Sequence, residues 1–294
     1  MIRYPISPLD LAAAIEAEQP HWLSRAARLT ESCRAEGRFG SQTAIWSEIK
    51  SVYMRLQGGG KCAYCERKME SVELGRIEQD VEHFRPKGNI KAWPVPPEIV
   101  AADISFATVP PAGKGYYLLA FHLFNYAATC KPCNSTLKKD YFPIAGIYHV
   151  DEENPVTLNN ERPYLIYPIG DVDDDPESLI EFYGLSPRPV QKRGWAYQRA
   201  LVTIAFFKLD DPVQRKNLYA ERARLICGLF PLLQATEIGT AAQQNRAKER
   251  LASLVTPQSP HFNCAKSFQR LFERDSAEAE KIWDVAFAFL ESIS

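Results

Sequence analysis

The sequence of 294 residues lacks long apolar runs and lacks an excess of charge of either sign. No stretch reaches the eighteen or so apolar residues that a membrane-spanning helix requires, so we expect no membrane partner. The first residues contain no apolar segment of the signal-peptide type, and we therefore expect a cytoplasmic protein. With 35 basic and 36 acidic residues, the formal net charge is −1, which argues against a free-standing protein that coats DNA.

The sequence also lacks internal repeats and low-complexity segments. Hydrophobic residues make up 46% of it and aromatic residues 11%, which predicts a chain that folds around a buried core. We expect an α+β, mostly helical fold in three parts. These are a helical N-terminal region (1–60), a cysteine-bearing core (61–150), and an acidic connector with a helical C-terminal region (151–294).

Apolar residues at three- and four-residue steps predict helices near both ends of the chain. The predicted helices cover 9–18, 22–36, 41–57, 194–209, 212–229 and 241–254, and a last helix follows a cap at Asp275 and Ser276. In the middle of the chain, alternation predicts a strand over 77–84. The strongly apolar segment 116–126 is predicted to be a buried helix.

Four of the seven cysteines form two Cys-x-x-Cys pairs, Cys62 with Cys65 and Cys130 with Cys133. A two-residue spacer lets both thiolates of a pair face one ion, and two pairs complete a closed tetrahedral zinc site. A redox role for one pair is the alternative, but two pairs together favour structural zinc. The remaining cysteines are expected to be buried small side chains: Cys33, Cys227 and Cys264.

A carboxylate followed directly by a histidine, Glu82 and His83, lies between the two pairs. Neighbouring strand residues point to opposite faces, so Glu82 can hold a hard cation while His83 faces a water molecule. Imidazole titrates near neutral pH and suits a general base. Asp80 is an alternative ligand to Glu82. A pair of this kind alone is weak evidence for a site.

The order Cys-x-x-Cys, [DE]-H-x-x-P, Asn, Cys-x-x-Cys-Asn, Lys resembles the HNH endonucleases, which have a ββα-metal fold. The resemblance implies that Glu82 and Asn134 bind a catalytic magnesium or manganese ion. It implies that His83 is the general base and that Asn125 orients it by a side-chain hydrogen bond. The four cysteines would hold the zinc that stabilises this small core.

The segments EHFRPK (82–87), 116–134 and LKKDYFP (137–143) are similar to one subfamily. This is the HNH component of Septu-type anti-phage systems and of some retron systems, which is encoded with an ATPase. The resemblance implies an ATPase partner and a nucleic-acid substrate, DNA more than RNA. Five cations are candidates for contacts with backbone phosphates: Arg85, Lys87, Lys131, Lys138 and Lys139.

Three functions remain open at this stage. The first is a metal-dependent HNH endonuclease that cuts DNA, and the second is a nuclease of the same fold that cuts RNA or tRNA. The third is a non-catalytic zinc module that binds nucleic acid or protein. Only the two nucleases need Glu82, His83, Asn125 and Asn134 together, and the presence of all four favours catalysis.

Overall fold

A computed structural model describes residues 1–40, 43–74 and 80–293 of the chain. Across these ranges the fold is mostly helical with two small antiparallel sheets. This confirms the predicted mostly helical α+β class. Among the described residues, no helix combines the length and the apolar character that crossing a membrane requires.

The described residues of the N-terminal region form three α-helices and one 3-10 helix. Their bounds are α1 Pro8–Glu18, α2 Trp22–Glu36, 3-10 Ile45–Ile49 and α3 Lys50–Leu56. The Ser7 side chain caps α1 by accepting from the amide of Asp10, and Gly37, with φ of 63°, ends α2. The helix predicted over 41–57 therefore begins as a 3-10 helix at Ile45, and Ser41 and Gln42 lie outside the described residues.

The middle of the chain contains the first sheet and several short helices. Their bounds are β1 Asp80–His83, α4 Pro97–Ala101, 3-10 Tyr117–Leu119, 3-10 Leu123–Asn125, β2 Tyr126–Thr129, π-helix Pro132–Lys138 and 3-10 Thr157–Glu161. Strand β1 pairs antiparallel with β2, and Glu82 faces Ala127 while His83 faces Tyr126. The strand predicted over 77–84 is confirmed from Asp80 to His83, and 77–79 lie outside the described residues.

The helix predicted over 116–126 is wrong in type, although the segment is buried as expected. It forms two short 3-10 helices and then enters β2 at Tyr126. A short apolar run buried on all sides has no polar face, so its periodicity cannot separate a helix from a strand. Two strands followed by a short helix are the order that a ββα motif predicts, and the HNH assignment itself stays a prediction.

The described part of the C-terminal region contains the second sheet, one short helix and five longer helices. Their bounds are α5 Pro176–Leu179, β3 Ile180–Tyr183, β4 Ser186–Pro189, α6 Gly194–Phe206, α7 Lys216–Ala235, α8 Ala241–Leu254, α9 Phe262–Arg274 and α10 Ser276–Ile293. The helix predicted over 212–229 starts later and continues past Pro231. No pattern above predicted α9.

Two large hydrophobic cores and a smaller one, formed by Ile99, Ile104, Tyr164 and Val202, lie among the described residues. The main core joins the N-terminal helices to the middle of the chain through side chains such as Trp22, Tyr53 and Tyr126. A second core lies between α7, α9 and α10. The division at 60 and 150 stays a prediction, and the N-terminal helices share their core with the cysteine-bearing segment.

Candidate functional site

The first cysteine pair lies in a tight turn that begins after three glycines. Gly60 has φ of 101°, and a Cβ there would lie 2.6 Å from the carbonyl oxygen of Glu70, so only glycine fits without a shift. The Cys62 amide donates to the Arg67 carbonyl at 3.1 Å, which closes the turn. The second pair begins directly after β2, with Cys133 inside the first turn of the π-helix.

The four cysteine sulfur atoms lie within 4.8 Å of one another, and all four residues are buried. The Sγ atoms of Cys65 and Cys130 are 3.7 Å apart. Zn–S bonds of about 2.3 Å in a tetrahedron place the sulfur atoms about 3.8 Å apart. The donor set and the spacing therefore fit a zinc ion. Four thiolates close the coordination sphere, which is the property of a structural site.

The other three cysteines do not join this cluster. Cys33 and Cys264 are buried as predicted, whereas Cys227 is only partly buried. Among the described residues, only the four paired cysteines form a group of at least three His, Cys, Asp or Glu ligand atoms within metal-binding reach.

A polar cleft of about 550 Å³ is lined in part by Asn134, the residue that follows Cys133 of the cysteine cluster. Its walls come from β1, from the π-helix and the residues after it, and from the N-terminal region. Three of the four predicted catalytic residues border this one cleft: Glu82, His83 and Asn134. Strand alternation predicted that Glu82 and His83 point to opposite faces. Both residues nevertheless border the cleft, because they lie at the end of β1.

Glu82 is 4% exposed and forms an ion pair with Lys138, whose Nζ lies 3.2 Å from Oε1. Burial raises the pKa of the Glu82 carboxyl, and the Lys138 ammonium partly offsets that rise. The carboxylate thus depends on a nearby cation for its charge. The side chain of Asp80, the alternative ligand, lies outside the described part of the chain.

His83 is held by a backbone carbonyl. Its Nε2 lies 3.1 Å from the oxygen of Ala120, and its ring packs edge-on against Trp46 at a centroid distance of 4.7 Å. A carbonyl only accepts, so Nε2 carries the hydrogen, and the lone pair of Nδ1 faces the Lys87 ammonium, whose Nζ lies 3.5 Å away. Burial lowers the pKa of His83 well below its ordinary value, and Lys87 lowers it further. The ring is therefore neutral at neutral pH, as a general base requires.

Asn125 does not form the predicted hydrogen bond with His83. Its Oδ1 accepts from the Arg85 amide at 2.7 Å, and its Nδ2 donates at 3.0 Å to the carbonyls of Arg85 and Leu119. Both the oxygen and the nitrogen of the side-chain amide are therefore hydrogen-bonded to backbone groups, and the residue is fully buried. Asn125 therefore ties the chain after His83 to the turn whose Ala120 carbonyl contacts the imidazole.

Asn134 and Glu82 are the two predicted ligands of a catalytic ion. Asn134 lies one residue after Cys133, is half-buried, and borders the cleft from the π-helix. Magnesium commonly takes one or two protein oxygen ligands and completes its octahedron with water and substrate phosphate oxygens. The two side chains fit that pattern, since both offer oxygen ligands to one open cleft.

The five predicted phosphate contacts fall into two groups. Arg85 and Lys138 are buried, which contradicts their predicted contact with the backbone phosphates of a nucleic acid. Arg85 forms an ion pair with Glu161 and donates to the Leu158 carbonyl at 2.9 Å, so its charge is already compensated inside the core. The cations that remain accessible are the half-buried Lys87 and the exposed Lys131 and Lys139. Lys87 and Lys139 border the cleft.

Residues of the N-terminal region also border the cleft, and the motif did not include them. They are Phe39, Trp46, Ser47 and Lys50. The Lys87 ammonium lies 4.5 Å from the centre of the Trp46 ring and 5.3 Å from that of Phe39, which are cation–π distances. Trp46 lies within the helix predicted over 41–57, and no local signal in the sequence separates a side chain packed in the core from one that borders a cleft.

Comparison with curated proteins finds one informative similarity. The chain is 33% identical over 192 residues to the Septu protein PtuB of Bacillus mycoides (strain KBAB4). The alignment covers 63% of this chain and 56% of the relative, so the chain spans little more than half of that protein. Neither a family model nor a solved structure matches the chain. The similarity supports a relation to the Septu proteins.

Proposed function

We propose that this protein is a metal-dependent HNH endonuclease of an anti-phage defence system. It hydrolyses phosphodiester bonds, and we favour DNA over RNA as the substrate. The observation that carries this proposal is the single cleft bordered by Glu82, His83 and Asn134. These residues offer two ligands for a hard cation and one neutral imidazole, the set that metal-assisted phosphodiester hydrolysis requires.

Each residue has a defined part in the proposed reaction. A divalent ion held by Glu82 and Asn134 would supply positive charge to the scissile phosphate and the leaving oxygen. The lone pair of His83 Nδ1 takes the proton of the attacking water, while the Ala120 carbonyl keeps the ring in that tautomer. Lys87 and Lys139 border the cleft, which supports a part for both in contacting backbone phosphates.

The proposed defence role rests on the similarity to a Septu protein and on the resemblance of the motif. The similarity supports a partner protein, and the resemblance of the motif implies that this partner is an ATPase that gates the nuclease. The net charge of −1 fits a subunit whose affinity for nucleic acid depends on a complex, because the chain carries no overall attraction to phosphate.

The test is a cleavage assay on supercoiled plasmid and on bulk tRNA, each with magnesium, manganese or EDTA. The wild-type chain is compared with His83→Ala, alone and with the ATPase encoded beside it. Loss of the general base should lower the cleavage rate by about 10²–10⁴-fold. His149→Ala is the matched control because His149 is exposed and lies outside the cleft, and its rate should not change.

Zinc content is measured in every variant, so that a misfolded variant is not counted as a catalytic one. Metal-dependent cutting of plasmid that is lost in zinc-replete His83→Ala supports the proposal. Cutting of tRNA alone supports the RNA alternative. No cutting of either substrate, with or without the ATPase, refutes a nuclease and leaves the non-catalytic zinc module.

A further inference from the structure

The cysteine cluster has a charged neighbour that belongs to no motif. Arg215 immediately precedes α7, and its Nη2 donates to the Sγ of Cys133 at 3.4 Å. The residue is 9% exposed. Its second terminal nitrogen, Nη1, is buried without a hydrogen-bond partner among the described residues. The guanidinium is therefore directed at the sulfur atoms and not at solvent.

The charges of the cluster explain why a cation belongs there. Four thiolates around Zn²⁺ carry a formal charge of −2, and all four cysteines are buried. A buried net charge is costly unless an opposite charge or hydrogen bonds compensate it. Arg215 supplies both, one positive charge and one N–H···S hydrogen bond. The thiolates in turn compensate the buried guanidinium.

The backbone holds Arg215 in place independently of the sulfur atoms. The Asp211 carboxylate accepts from the amides of Val213 at 3.0 Å and Gln214 at 2.8 Å. The Arg215 amide donates to the Asp211 carbonyl at 3.0 Å, and the Arg215 carbonyl accepts from Tyr219 at 3.1 Å. This turn fixes the backbone from which the Arg215 side chain reaches the cluster, which limits the entropy lost on binding.

Other contacts show that the C-terminal region encloses the first cysteine pair. Tyr64 stacks on Phe207 with ring centroids 4.1 Å apart. Arg67 pairs with Glu221 of α7 at 2.8 Å. The cluster therefore lies at the junction of the cysteine-bearing segment and the C-terminal helices, and Arg215 is the contact that reaches a ligand atom.

We infer that Arg215 is a positioning residue of the zinc site, acting through Cys133 and setting the affinity for the metal. Its positive charge and its N–H···S hydrogen bond compensate the charge of the zinc–cysteine cluster, so its loss weakens zinc binding more than loss of packing alone would. Removing a partner of a metal ligand typically lowers metal affinity about 10–100-fold.

The experiment measures zinc affinity of the full chain by competition with a chromophoric chelator. Arg215→Met keeps the bulk and removes the charge, and its affinity should fall about 10–100-fold. Arg215→Lys should fall less, because it keeps the charge and loses the planar donor geometry. Arg224→Met, an exposed residue on the same helix, should stay within about twofold of wild type, since a surface substitution rarely propagates.

Cobalt substitution provides a second readout that packing alone does not move. Loss of the N–H···S bond makes the sulfur more electron-rich, so the thiolate-to-cobalt charge-transfer band of Arg215→Met should shift to lower energy. Thermal unfolding by circular dichroism checks the fold. If Arg215→Met does not fold, the zinc affinity and cobalt band of Arg215→Lys decide. A folded variant with wild-type zinc affinity and an unshifted cobalt band overturns the inference.

Discussion

The cysteine cluster and the polar cleft meet at the start of the π-helix, yet their environments differ. Cys133 and Asn134 are neighbours in sequence, and one is buried among thiolates while the other borders an open cleft. The cluster could supply all four ligands of a zinc ion from the protein, whereas the proposed ion in the cleft would take two oxygen ligands and leave space. A closed site stabilises a fold, and an open site leaves coordination positions for water and substrate.

The cations near the two regions differ in the same way. Arg215, Arg85 and Lys138 are buried beside thiolates or carboxylates. Lys87 and Lys139 border the cleft and reach solvent. Residue type alone does not distinguish a basic side chain that stabilises the core from one that could contact a substrate. The ionic partner and the degree of burial do distinguish them.

The largest expected effect comes from opening the closed site. Cys133→Ser removes one zinc ligand and the partner of Arg215. The free energy of binding structural zinc is on the order of 10–16 kcal/mol in small zinc domains, comparable to the whole stability of a domain. We expect loss of bound zinc and of cooperative thermal unfolding, measured by metal analysis and circular dichroism. Cys227→Ser, outside the cluster, should keep one zinc per chain; a zinc-replete Cys133→Ser would contradict this account.

An intermediate effect is expected from the ion pair beneath the cleft. Glu82→Gln leaves the Lys138 ammonium buried without a counter-charge, which costs about 3–5 kcal/mol of stability. The double variant Glu82→Gln with Lys138→Met should recover most of that stability in chemical denaturation, because neither charge remains.

Two results would show that the pair is not the cause. One is an unchanged stability of Glu82→Gln, and the other is a double variant no more stable than Glu82→Gln. The control is Glu181→Gln, which breaks an exposed pair with Arg188 and should change stability by about 0–1 kcal/mol.

The smallest effect is expected at the rim of the cleft. Lys139→Met should leave stability within about 0.5 kcal/mol, because the side chain is exposed. If Lys139 contacts a phosphate, the salt dependence of nucleic-acid binding should lose about one unit of its logarithmic slope. Binding titrations over a range of salt concentrations measure this slope. Lys248→Met on α8 is the control, and equal slopes in both variants would remove Lys139 from the proposed contact surface.

The cysteine cluster was predictable residue by residue from sequence, because a Cys-x-x-Cys spacer constrains geometry within four residues. Helices with a clear polar face were also predictable, and α2 and α8 have the predicted bounds. The segment 116–126 was not, since burial on all sides leaves no periodic signal.

The placement of individual cations and of Asn125 was not predictable from local sequence. Arg85 meets Glu161 at a separation of 76 residues, and Arg215 meets Cys133 at a separation of 82. Such contacts are set by tertiary packing, so a basic residue beside a motif looks the same whether it faces solvent or the core. The motif located the cleft, and only the three-dimensional structure separated its accessible cations from its buried ones.

The enclosure of the first cysteine pair by the C-terminal helices has a consequence for the order of folding during synthesis. The Glu66 carbonyl accepts from the His261 amide at 3.1 Å, and the Glu66 carboxylate accepts from the Asn263 amide at 3.3 Å. A nascent chain cannot form these contacts until it has been translated beyond residue 263. Contacts so distant in sequence close late because loop-closure entropy opposes them. We therefore expect the surroundings of the first cysteine pair to be completed only after the C-terminal helices have been synthesised.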